Sequence, residues 1–232
     1  LGQYSHHAVE LTLEWTGVLD RLRQMGFSHP LVELDLDNPG GHTVRVVADS
    51  ERDEHLIELR VRRDKRSIPG MELLSLEWLL LQNPRASFSA HRPALPGQAH
   101  PGLGLMSDIM SLLILICDQQ RLDGIVFVPS QYHLAVKGRR FLRFLSPEDE
   151  GWYRALQTQL KDIPLAAATE LVSNGALRDR HTHATVVWRP MQMVLPISER
   201  LHDRVEGQAY EEAVAAVTAR TSFERQESRT GI

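Results

Sequence analysis

The chain has 232 residues, of which 42% are hydrophobic and 24% charged, with 26 Lys and Arg against 30 Asp and Glu. Those proportions suit a soluble globular protein, and a formal charge of −4 gives no general electrostatic case for nucleic acid or a membrane surface. The single cysteine, Cys117, rules out a disulfide within the chain and fits a reducing compartment.

From the N-terminus, residues 8–25 read as one amphipathic helix, with Val9, Leu11, Leu13, Val18, Leu19, Leu22 and Met25 on its apolar face and Gly26 as its stop. Leu31 to Leu36 alternates like a strand and runs into the turn signal Asp37-Asn-Pro-Gly-Gly41. His42 to Ala48 and His55 to Arg62 form the arms of a hairpin, joined by the polar stretch Asp49 to Glu54. Met71 to Leu81 is an almost unbroken apolar run, short for a helix and too apolar for an edge strand, so a buried central strand is expected.

Arg92 to Met110 is the stretch with the clearest chemistry. Pro93, Pro96 and Pro101 stiffen a loop in which Gly97, Gly102 and Gly104 fall close together. Leu105, Ile109, Leu112, Leu113 and Ile116 then recur at helical spacing to about Gln120, with Cys117 among them as a packing residue. A glycine-rich entrance to a helix gathers free backbone N–H groups at the positive end of a helix dipole, where a phosphate or diphosphate is a natural guest. Gly124 to Pro129 reads as a second buried strand, so strand, glycine loop, helix and strand make a βαβ unit with the loop at the carboxyl end of the sheet.

Beyond it, Gln131 to Phe141 is expected to be helical. Ser146-Pro-Glu-Asp-Glu150 is a helix start, with Ser146 as N-cap and Pro147 in the first turn. That helix runs to about Asp162, and a shorter one covers Ala166 to Ser173. Thr185 to Trp188 reads as a strand that Met191 to Leu195 extends. Ser198 caps a further helix, Glu206 to Arg220 is the last, and residues 221–232 are a polar tail. No run of about 18 apolar residues is present, and Leu1 to His7 lacks the regions of a signal peptide, so a cytoplasmic protein with no membrane span is expected.

On this order of elements, residues 8 to about 145 resemble the GNAT superfamily of acyl-CoA N-acyltransferases. The motif that carries the resemblance is Gln98-Ala-His-Pro-Gly102-Leu-Gly104, which keeps the family's Gly-x-Gly, although Gln98 lies one residue further from the first glycine. Ala135, Arg139 and Arg143-Phe144 stand at the spacing of the family's later Ala, Tyr and Gly-Phe, so Arg139 occupies the place of the usual Tyr acid. The resemblance implies an α/β (α+β) fold with a mixed central sheet flanked by helices. It covers a domain over 1–145; beyond it the pattern of the residues themselves suggests a helical extension carrying one strand over 146–220 and a flexible tail over 221–232. The resemblance further implies acetyl-CoA or another acyl-CoA as cofactor, held by Gly97, Gln98, His100, Gly102, Leu103 and Gly104. Glu77, set in the apolar run where desolvation would raise its pKa, takes the role of base, with Glu72 as the alternative, and Tyr132 is near enough to substitute for the missing Tyr as acid.

The expected activity is transfer of an acetyl or other acyl group to a primary amine on a small molecule or peptide, with no nucleic acid or membrane partner. A homodimer or a protein partner is compatible with it. The alternative is a GNAT-like domain without transfer activity, acting as an acyl-CoA sensor or interaction module. Other chemistries find less support. Among the eleven His, His181 and His183 share a strand face but no third ligand falls at metal spacing, so no metal is expected. The calcium-loop hint at Asp35 to Gly40 fails because Val46 stands where a Glu is needed. No Gly-x-Ser-x-Gly elbow is present for serine hydrolysis.

Overall fold

The computed structural model of the chain describes residues 5–49 and 54–226, and these form an α+β fold. They divide into two compact units, one of residues up to 94 plus 98–126, the other of residues 95–97 plus those from 127 onward.

The first unit opens with two short helices, α1 (His6–Trp15) and α2 (Val18–Gln24). The single helix expected over 8–25 is broken. Gly17 takes φ +76, its N–H returns to the Glu14 carbonyl at 2.9 Å, and the Thr16 hydroxyl donates to the Thr12 carbonyl at 2.8 Å. Glycine reaches this left-handed conformation at little steric cost, and this ends α1 and lets α2 start in a new direction. Both helices still bury their apolar faces, with Leu13, Val18, Leu19 and Leu22 almost wholly covered.

Next come β1 (Leu31–Asp35), β2 (His42–Val47), β3 (His55–Asp64) and β4 (Leu73–Leu81), each antiparallel to the one before. The hairpin and the strand before it therefore lie close to where alternation places them. Residues 50–53 of the connecting turn fall outside the described residues. Helix α3 (Met106–Gln119) follows the glycine loop and buries Ile109, Met110, Leu112, Leu113, Ile116 and Cys117. It leads to β5 (Gly124–Phe127), which lies beside β4, so the strand–loop–helix–strand succession expected here is present. The unit ends at Val126. A mixed α/β architecture with a mostly antiparallel sheet is compatible with a GNAT-like fold.

The second unit holds α4 (Tyr132–Gly138), β6 (Arg143–Phe144), α5 (Pro147–Leu160), α6 (Leu165–Ser173), β7 (Leu177–Asp179), β8 (Thr185–Val186), β9 (Met193–Pro196), α7 (Glu199–Glu206), α8 (Gln208–Arg220) and β10 (Phe223–Arg225). The helix starts are as expected: the Ser146 hydroxyl accepts from the Glu148 and Asp149 N–H groups, and that of Ser198 accepts from Leu201. Gly151 of α5 lets α8 come close, since a Cβ there would stand 2.6 Å from Val217 Cβ. The unit is richer in strands than the one-strand extension expected for 146–220. β6 pairs with β9, and β10, β7 and β8 form a small antiparallel sheet. The tail expected from residue 221 is corrected in the same way, because Phe223 is 2% exposed and pairs with Asp179; residues 227–232 lie outside the described residues.

Candidate functional site

The site is built from the end of β4 and the start of α3, both in the first unit. β4 begins buried, with Leu73, Leu74 and Leu76 at 7% exposure or less, but Trp78 is 49% exposed and Leu79, Leu80 and Leu81 are half-buried. Its apolar run is therefore covered only over its first half. At the changeover the register with β3 shifts: Val61 faces Leu76 and Arg60 faces Trp78, leaving Glu77 as the extra residue of a bulge. Bulges bend a strand and redirect its side chains, and they are over-represented next to active sites.

The loop after β4 is pinned at several points. The Asn83 N–H donates to the Pro101 carbonyl at 2.7 Å, holding the loop's exit beside its entry. Arg85 donates to Glu54 at 3.0 and 3.1 Å and to the Gly26 carbonyl at 3.0 Å, with its guanidinium 4.5 Å from the centre of the Phe27 ring. Leu103 and Leu105 turn their side chains into the core, at 5% and 0% exposure, while the alternating Gly102, Gly104 and Met106 stay exposed. A Cβ on Gly102 would meet the Leu81 carbonyl oxygen at 3.5 Å, so the glycine loop lies against the end of β4. Gly104 has φ +75.

No side chain caps α3 at Leu105. The first N–H groups of a helix have no acceptor within it, and here they open where two glycines leave the backbone accessible. Asp108 in the first turn is paired with Arg21, which offsets the carboxylate that would otherwise oppose a bound anion.

The structure brings His100, Gly102, Leu103 and Gly104 together in this entrance, and Leu103 contributes its backbone alone. Gln98 precedes them, half-buried. Gly97, with φ +80, clusters with the second unit, where Gln131 Nε2 lies 3.9 Å from the position of a Cβ. Glu77 is at the end of β4 but not in the apolar surroundings expected for it. It is exposed, and Arg62 donates two hydrogen bonds to its Oε1 at 3.0 and 2.7 Å. On this bulged, half-open stretch the side chain leaves the apolar layer that its neighbours in sequence suggested.

Tyr132 lies in the second unit, 3% exposed at the first turn of α4, with ring centroids 6.2 Å from Tyr153 and 5.9 Å from Trp188. Burial pushes its hydroxyl up to about 12, so the phenol is protonated at neutral pH. Arg139, at the position of the family's Tyr, is structural: it donates to Glu150 and, at 3.2 Å, to the Leu142 carbonyl. The bulge, the Arg62–Glu77 pair and the exposure of Trp78 escaped the sequence reading. All three depend on strand register, and the only local trace was one acid within a leucine-rich run.

No protein-family model, curated protein or solved structure matches the chain. Among the described residues no helix is long and apolar enough to cross a membrane, and no group of three His, Cys, Asp or Glu side chains could hold a metal ion.

Proposed function

We propose that this chain binds an acyl-CoA and transfers the acyl group to a primary amine. One observation carries the reading: an uncapped, glycine-lined helix entrance lies against the half-open apolar end of a central strand. The N–H groups of the entrance suit the linked phosphates, with Gly102 and Gly104 giving access to the main chain. The half-open end of β4, where Trp78 is exposed and Leu79 to Leu81 are half-buried, offers apolar surface to the arm that carries the thioester. In the reaction the amine nitrogen attacks the thioester carbonyl and loses a proton, and the carbon–sulfur bond breaks to release the thiol. Glu77 is the base within reach of that strand end, acting through water after parting from Arg62.

A second reading, acyl-CoA sensing without transfer, is favoured by the acid side of the chemistry. Tyr132 is buried among aromatic rings, and Arg139 is committed to Glu150. Calorimetry with acetyl-CoA and with free coenzyme A, followed by thiol release with a panel of primary amines, distinguishes the two. Binding with amine-dependent thiol release is the expected result. Binding without release leaves the sensor, and no binding of either ligand removes both readings.

A further inference from the structure

Between α1 and α3, above β2 and β3, the first unit holds a pocket of about 130 Å³ that opens to solvent beside Trp15 and Gln119. Its walls include Leu13, Val46, Ile57, Leu59, Ile109 and Ile116, none more than 9% exposed. Cores are normally packed with few voids larger than a water molecule, and an aliphatic cavity of roughly 150 Å³ stays dry yet admits a small apolar guest such as benzene. The cavity shares Trp15, Leu112 and Leu115 with an outer cleft of about 410 Å³. Trp15 is 82% exposed, a large apolar ring at the lip of both. The rim of the cleft is polar: Thr16, Ser107 and Ser111 supply hydroxyls, and Asp108 supplies a carboxylate already paired with Arg21.

We infer that chamber and rim together bind a small amphiphile, with a short apolar tail in the chamber and a neutral or cationic hydrogen-bonding head at the rim. Most of the chamber wall is aliphatic, and of its two polar residues, Thr12 and Gln119, the Thr12 hydroxyl already donates to the Ala8 carbonyl at 2.7 Å, so an apolar tail displaces little that is bound. The Ser107 and Ser111 hydroxyls accept from or donate to an alcohol or amine head and that of Thr16, whose proton goes to the Thr12 carbonyl, accepts, whereas a carboxylate head would face Asp108. The site does not depend on the acyl-CoA reading, since neither Gly102, Gly104 nor the end of β4 lines it.

Calorimetry of the intact chain with the straight-chain alcohols from 1-butanol to 1-octanol tests this, with hexylamine and hexanoate as head-group probes. Affinity is expected to rise about fourfold per added methylene until the chamber is full, then level off or fall. Hexylamine should match or exceed 1-hexanol, and hexanoate should bind at least tenfold more weakly. Val46→Phe fills the chamber and should remove binding. Should it fail to fold, Val46→Leu should move the best chain length down by about one carbon. The inference is overturned by undetectable binding, by an affinity that climbs with chain length and never levels, by hexanoate binding as well as hexanol, or by a folded Val46→Phe chain that binds like the wild type.

Discussion

Removing the carboxylate of Glu150 is the most informative perturbation of the second unit. Its side chain is completely buried, and it accepts from Arg139, from Arg154 Nε at 2.7 Å and from the Phe144 N–H at 3.1 Å. In Glu150→Ala, Arg154 keeps its two bonds to Glu211 of α8, at 2.9 and 3.1 Å. Arg139, whose side chain is 17% exposed, keeps only the Leu142 carbonyl. Stranding a largely buried guanidinium costs about 3 kcal/mol, and leaving the buried Phe144 N–H without an acceptor adds about 1 kcal/mol. The expected loss is therefore about 4 kcal/mol, a large share of a typical domain stability of roughly 5–15 kcal/mol. Urea unfolding followed through Trp152 and Trp188 fluorescence measures it. Glu150→Gln, which keeps the shape and one acceptor, should lose less than half as much. Arg139→Ala on top of Glu150→Ala should cost clearly less than the sum of the two single changes, because the stranded charge is gone. A Glu150→Ala loss below about 1 kcal/mol, or strict additivity in the cycle, would refute the reasoning.

Other predictions concern the entrance to α3 and two buried positions. Gly102→Glu adds a Cβ at ordinary contact distance from the Leu81 carbonyl, so the chain should fold while coenzyme A binding falls at least a hundredfold; a folded variant that binds normally removes the site. Gly104→Ala meets open space but must hold φ +75, so thermal unfolding should show a loss of about 1 kcal/mol from backbone strain and none from packing. Gly151→Ala places a methyl 2.6 Å from Val217 Cβ, and a loss of about 1–3 kcal/mol from forcing α5 and α8 apart is expected in the same measurement. His133 is 3% exposed and burial lowers its pKa to about 4. The unfolded chain, with an ordinary His pKa near 6.5, then binds more protons between these values, so stability falls as pH drops from about 6.5 to 4. His133→Gln should flatten that fall by at most about 3 kcal/mol, and unchanged pH dependence in unfolding curves would count against the buried neutral imidazole.

Much of the first unit, and the helix starts of the second, were legible because their signals are local. The strand alternation around Val44, Val46, Ile57 and Leu59, the helical spacing from Ile109 to Ile116 and the caps at Ser146 and Ser198 each depend on residues within a few positions of one another. The break at Gly17 was missed because the apolar periodicity continues across it, and only the sign of one φ angle separates one long helix from two. The strands β6, β7 and β10 have two or three residues each, too few for a period, and their partners are far along the chain.

The site divides in the same way. Glycine spacing and the apolar turns that follow marked the entrance to α3 from sequence, since backbone access and helix polarity depend on neighbouring residues. The fate of Glu77 was settled by strand register instead: a one-residue bulge opposite Arg60 and Val61 brings its carboxylate out to Arg62. A carboxylate in a leucine run reads as desolvated until the partner strand is known. Sequence therefore determined the longer helices and strands and where main-chain N–H groups gather. Tertiary structure alone decided which polar side chains reach a partner and which apolar walls leave space between them, because burial and pairing depend on contacts between residues far apart in the chain.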